Sequence, residues 1–341
     1  MSAQDAVASG FNEEYEMVRL VESRALSWIA DRKQLFNPLS HANIQRIKLA
    51  IKASAELAMV CALAEDNNSR SRPAGYRLLM LFLWHEVFQQ EALQEYLLDN
   101  PNGLPTFGIY ASLRRSGFED EPYRIRLKRI LSQGYMQAVE APASAHMDFL
   151  YSLIVGDLSV DETKLHLDEM YRRSLLAQHP PLLPLTKSDA YAFTHTLFFL
   201  TDFGRRSLHR FSDEDADYLG RALPRLLDFY LRGQNWDLSA ELLIGMFVTD
   251  LCKLPAYRNG WHLLLSAQNA DGSFSGPDLE EVRGPEPATL LGTTSKEDAE
   301  WTLFSENYHT TLAVLMALQT CRLDGARSSP CTVRSVSTSS G

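Results

Sequence analysis

Helical periodicity constrains this chain more than any other feature. Apolar residues recur at spacings of three and four in long segments broken by short stretches of Pro, Gly, Asn or Asp, and alternating β-branched runs are almost absent. The segments fall at residues 13–31, 41–65, 73–96, 104–116, 121–133, 144–156, 161–176, 188–203, 213–233, 236–252, 255–268 and 305–322. An all-α fold of twelve helices, arranged as six pairs, is therefore expected.

The two members of a pair differ in character. Residues 53–64, 150–155, 197–200, 242–248 and 312–318 are apolar on most sides, as suits helices held between a ring of partners and a cavity. Their neighbours carry one polar face. The segment 213–233, opened by Ser212 before Asp213, Glu214 and Asp215, has a capped, acidic first turn and reads as an outer helix. The expectation is an (α/α)6 toroid, six inner and six outer helices around a central cavity, in one domain spanning residues 1–326. Residues 276–299 hold three prolines, three glycines and many acidic groups, and are expected to form a long loop that serves as a lid. The Ser- and Thr-rich tail, residues 327–341, has nothing to bury and is expected to be disordered.

Composition narrows the function classes. With 341 residues, 45% of them hydrophobic and 22% charged, the chain is large enough to bury a substantial core. A net charge of -10 with no long basic stripe argues against a nucleic-acid partner, since phosphate contacts need clustered Lys and Arg. The arginines between Arg124 and Arg129 read as one face of an outer helix. Cys61, Cys252, Cys321 and Cys331 lack metal-ligand spacing, which fits a reducing cytoplasm. Neither a secretory leader nor an apolar run of the ~18 residues needed for a membrane span is evident, so a cytoplasmic protein without a span is expected.

The run Gln268-Asn-Ala-Asp-Gly-Ser-Phe274 resembles the Gln-x-x-Asp-Gly-Ser-Phe/Trp turn of the terpene-cyclase and prenyltransferase α/α toroid superfamily. The resemblance implies that Gln268 caps an outer helix, that Asp271-Gly272 reverses the chain, and that Phe274 packs back between hairpins. Residues 308–318 resemble an inner helix of such toroids. The superfamily's Asp-x-Asp-Asp motif and its aspartate-rich diphosphate motif are absent; Asp213-Glu-Asp-Ala-Asp217 is the nearest run. The resemblance thus implies the fold and not terpene cyclisation. The lanthionine-cyclase branch holds zinc with two Cys and one His, and Cys252 and Cys321 offer no such set.

In such a fold the starts of the inner helices face the cavity. This selects His146 and Asp148, then Asp189, Tyr191 and His195, then Trp236, Asp237 and Glu241, then Glu306, Tyr308 and His309. His195 and Asp202 lie seven apart and so share a helix face, with Tyr191 four residues before His195 on the same face. An imidazole between a phenol and a carboxylate suits a general acid or base; a structural histidine, with Asp202 ending the helix, is the alternative. Asp237 and Glu241, four apart, form a carboxylate pair able to bind a cation or share a proton, or else an acidic helix start capped by Asn235. His146 and Asp148 read as structural.

The leading expectation is an enzyme of specialised metabolism, of cyclase, isomerase or lyase type, using acid–base chemistry on a small or medium organic substrate. His195, Asp202 and Tyr191 would be catalytic, and Trp236, Asp237, Glu241, Tyr308 and His309 substrate-binding. No cofactor and no resident metal are expected, and the oligomeric state is left open. The rival is a noncatalytic toroid that binds a peptide, carrier protein or partner enzyme.

Overall fold

A computed structural model describes residues 3–66, 73–99, 104–134, 140–158, 163–183, 185–206, 211–277 and 295–321. Among these residues every regular element is helical and no strand occurs. The helices are α1 (Ala3–Asp31), α2 (Ile44–Asp66), α3 (Gly75–Phe82), α4 (Glu91–Asp99), α5 (Leu104–Arg115), α6 (Glu121–Leu131) and α7 (Ala143–Val155). They continue as α8 (Thr163–Arg173), α9 (Lys187–Thr201), α10 (Asp213–Arg232), α11 (Trp236–Val248), α12 (Pro255–Ser266) and α13 (Lys296–Cys321). None is long and apolar enough to cross a membrane.

Local chemistry starts these helices where it should. Thr186 and Ser212 each form a reciprocal capping box, with Asp189 and Asp215, at the heads of α9 and α10. Asn235 caps α11 by accepting from the Leu238 amide at 3.3 Å. Burial then sorts the helices. On α10 the buried residues, Tyr218, Leu219, Ala222, Leu223, Leu226, Leu227 and Tyr230, follow the three-four spacing of a single face. On α11 every residue from Asp237 to Met246 is buried, and so is every residue of α13 from Thr310 to Cys321. Each leucine so placed contributes about 1.5–3 kcal/mol of hydrophobic burial.

The all-round buried helices are neighbours. Helix α2 packs on α5, α5 on α7, α7 on α9, α9 on α11 and α11 on α13, which returns to α2. The amphipathic helices lie against them: α3 on α2, α8 on α7, α10 and α12 on α11, and α1 on both α12 and α13.

The Gln268–Phe274 turn ties the two ends of the chain together. Arg24 of α1 donates to the carbonyls of Asn269 and Ala270 at 2.9 and 2.8 Å, and Trp28 Nε1 donates to Asp271 at 3.0 Å. Gln268 Nε2 donates to the carbonyls of Val21 and Gly272, while the Phe274 amide donates to Thr311 of α13 at 3.0 Å. Phe274 itself is fully buried. Gly272 has φ +97° and a Cβ there would lie 2.5 Å from the Arg24 carbonyl oxygen. A Gly272→Ala substitution is therefore expected to cost about 3 kcal/mol through strain and displacement of α1, measured as a fall in the urea midpoint.

Three sequence expectations need amendment. The 73–96 segment is interrupted: a wider π turn over Leu83–Phe88, marked by the Gln89 amide donating to the Trp84 carbonyl at 3.0 Å, separates α3 from α4. Helix α1 begins ten residues earlier than the periodicity suggested, at Ala3 in place of residue 13. Helix α13 begins at Lys296 in place of residue 305, because Ser295 Oγ caps the Asp298 amide at 3.0 Å. The last residues assigned to the 276–299 loop are therefore helix; residues 278–294 and the 327–341 tail lie outside the described residues.

Candidate active site

Small side chains open a cavity among the central helices. Ala55 and Ala62 of α2, Gly108, Ala111 and Ser112 of α5, and Ser144, Ala145 and Ser152 of α7 leave a space of about 520 Å³, within the range of small-molecule sites. Met59, Leu63 and Val155 complete an apolar wall. Charged groups interrupt it: Lys52, Glu56, Asp148 and His195 in one set, Arg115 with the phenol Tyr151 in another.

The first set belongs to a cluster of two imidazoles and four carboxylates. His195 Nε2 lies 3.5 Å from Glu241 of α11, and Thr194 Oγ1 donates to the other oxygen of that carboxylate at 2.5 Å. His309 Nδ1 lies 3.2 Å from Glu56, which also meets Lys52 at 3.5 Å. On its other side, His309 Nε2 lies 3.8 Å from Asp237. The Tyr191 hydroxyl donates to Asp237, and the Tyr191 ring stands between the two imidazoles, 6.1 Å from His195 and 6.4 Å from His309. Glu241 and Asp237 are almost fully buried, while both imidazoles keep partial exposure.

These neighbours set the protonation states. Burial opposes charge on His309, but Glu56 outweighs it and raises the imidazole from its ordinary 6.5 to about 9. Burial would raise Glu56, yet His309 and then Lys52 pull its carboxyl down to about 2. His195 is likewise opposed by burial and raised by Glu241, with help from Asp148. Asp148 moves the other way. Burial raises it to about 6, only partly offset by His195.

A pH dependence of stability follows from the His309–Glu56 pair. The raised His309 contributes stability that is complete below about 6.5 and lost as the pH rises through about 9. The depressed Glu56 contributes stability complete above about 4.5 and lost as the pH falls toward about 2. Both contributions are whole between about pH 4.5 and 6.5. Urea midpoints are expected to fall between about pH 6.5 and 9 in the parent, and to fall less in Glu56→Gln.

The residues expected from sequence divide into two groups. His195, Tyr191, Asp237, Glu241 and His309 come together as described. Tyr308 is buried beside them, its ring stacked on Phe304 at 5.1 Å and edge-on to Phe36 at 6.3 Å, as a packing residue. Trp236 is half-buried and packs on the core at the head of α11. Asp202 does not back His195. Helix α9 ends at Thr201, and Asp202 takes the left-handed conformation, φ +47°, so the helical face that the seven-residue interval presumes stops one residue short. Its carboxylate instead receives Arg115 Nη1 at 2.8 Å and the Tyr151 hydroxyl at 2.9 Å.

Sequence reasoning missed Glu56 and Lys52, which sit well inside α2 and not at its start. The signal was a lone Lys-x-x-x-Glu pair in an otherwise small and apolar stretch. It also gave Asp148 a structural role, although the residue lines the cavity.

The sequence profile of one family, described as domain of unknown function (DUF6895), matches residues 22–319. The chain belongs to the DUF6895 family. No curated protein and no solved structure matches it. The matched span includes every charged residue of the cluster, from Lys52 to His309, so the site of this DUF6895 chain lies wholly within the family domain.

Proposed function

We propose that this DUF6895 chain is an (α/α)6-toroid enzyme that carries out acid–base chemistry on a small organic molecule held in its cavity. The circuit of helix contacts from α2 through α13 and back to α2 supports the toroid, with the amphipathic helices as its outer layer. The observation that carries the activity is the pairing of unlike proton carriers on one cavity wall. His195 is held by Glu241, whose charge favours the protonated imidazole and raises its titration above the ordinary 6.5, while Asp148, raised to about 6, is able to take a proton.

His195 is held at Nε2 by Glu241, which Thr194 fixes in turn, and its other ring nitrogen, Nδ1, gives its proton to a heteroatom of the substrate. Asp148 accepts a proton from a carbon of the substrate in the same turnover, and reversal of that transfer brings solvent hydrogen to the carbon. The two groups end with the proton moved from one to the other, and return of that proton through the product or solvent restores them. The His309–Glu56 pair and the Tyr191–Asp237 hydrogen bond hold the neighbouring wall in place. The buried thiols Cys61 and Cys321 accord with a reducing cytoplasm.

The test is isotopic. The protein is incubated in D2O with a deproteinised small-molecule extract, and masses are compared with and without protein. The reading expects deuterium to enter one compound or a family of compounds, and expects this to stop in His195→Gln and in Asp148→Asn. Incorporation unchanged in both variants contradicts it. Retention of an extract component without any isotope exchange would instead establish the noncatalytic binding role.

A further inference from the structure

Even with both imidazoles protonated, the charged cluster beside the cavity is one positive charge short among the described residues. Its cations are Lys52, His195 and His309, and its carboxylates are Glu56, Asp148, Asp237 and Glu241. Glu241 faces His195, Glu56 faces both His309 and Lys52, and Asp237 lies against His309 and Tyr191. Arg115 and Asp202, further along the cavity, neutralise one another. Asp148 is left over: it lines the cavity, is only half-buried, and makes no hydrogen bond or ion pair among the described residues.

Donors are short as well as positive charge. The buried Asp237 Oδ1 accepts no hydrogen bond among the described residues, so two carboxylates of the cluster have oxygens without a donor there. A carboxylate placed this way is completed by a proton or by a cation that brings N–H groups. An ammonium supplies one positive charge and up to three donors, and the carbon-lined wall of Ala55, Met59 and Val155 accommodates an apolar body behind it.

We propose that the cavity's substrate is a primary or secondary amine on an apolar body, with its ammonium seated on Asp148. The proposal rests on reading this cavity as the working site and names the class of molecule that enters it. A carboxylate-bearing ligand would meet Asp148 and Glu56 with like charge, and a neutral alcohol would leave the missing charge unfilled.

The seat is tested by calorimetric titration at about pH 7.5 with n-hexylammonium, hexanol and hexanoate as probes. Hexylammonium is expected to bind at least tenfold more tightly than the other two, and Asp148→Asn is expected to remove that preference. A second measurement needs no variant. The charged groups that line the cavity with Asp148 are Lys52 and Glu56 from α2, Arg115 from α5 and His195 from α9; burial raises its titration to about 6, with His195 lowering it and Glu56 adding to the rise. Below that pH the parent's affinity for hexylammonium is expected to fall about tenfold per unit as a proton competes for the carboxylate. Equal binding of hexanol and hexylammonium, or unchanged preference in Asp148→Asn, overturns the proposal. Deuterium exchange that persists while hexylammonium fails to bind overturns the amine seat alone. Binding of hexylammonium by a protein that exchanges no deuterium supports the seat and overturns the acid–base reading.

Discussion

His195→Gln is expected to lower deuterium incorporation by about 10²–10⁴-fold, the usual contribution of one positioned general acid or base. Glutamine fills a similar space and can still donate a hydrogen bond to Glu241, but its amide does not release a proton near neutral pH. The loss should therefore appear in turnover and leave folding almost intact. His195 is partly exposed to the cavity, and removing its charge leaves Glu241 with the Thr194 hydroxyl as a remaining donor at 2.5 Å. A second variant, Glu241→Gln, separates positioning from chemistry. Without the carboxylate the imidazole titrates lower, so the alkaline limb of the rate profile is expected to move to lower pH while the proton-transfer group itself remains.

Asp202→Asn is expected to do the reverse, destabilising the fold by about 3 kcal/mol, near the lower end of what loss of one partner costs a buried ion pair. Asparagine keeps the size of the side chain and tolerates the left-handed backbone at φ +47°, so the substitution isolates the charge. Arg115 is then left with a buried guanidinium facing Tyr151 and an amide; its side chain is 15% exposed, which places the cost at the low end. A lowered urea midpoint together with an unmoved His195 titration is the expected outcome. A normal midpoint with a shifted His195 would restore Asp202 to the role that the seven-residue interval suggested.

That contrast shows where the sequence was informative. The heads of α9, α10 and α11 were legible because Thr186, Ser212 and Asn235 are side chains whose capping is a local event. The Gln268–Phe274 turn was legible for the same reason: Asp271 bonds Ser273 two residues on, and Gly272 sits where φ is positive. His195 and Glu241 each stood out as polar groups in apolar helices, but their meeting at 3.5 Å depends on how α9 packs on α11. Glu56 was hidden because a rule that searches only the first turns of helices ignores a residue in the middle of α2. Asp202 misled because helical spacing holds only while the helix lasts, and α9 stops at Thr201. The early start of α13 was readable in Ser295-x-x-Asp298, yet the prolines and glycines just before it drew that stretch into the loop.

The most direct test of the account is an NMR titration of isotopically labelled parent protein, with His195→Gln, His309→Gln and Asp148→Asn used to assign the signals. The expected result is that His309 titrates at about 9, that His195 titrates above 6.5, and that the Asp148 carboxyl titrates at about 6, below both imidazoles. Imidazoles that titrate at or below 6.5, together with an Asp148 carboxyl near its ordinary 3.8, would contradict it.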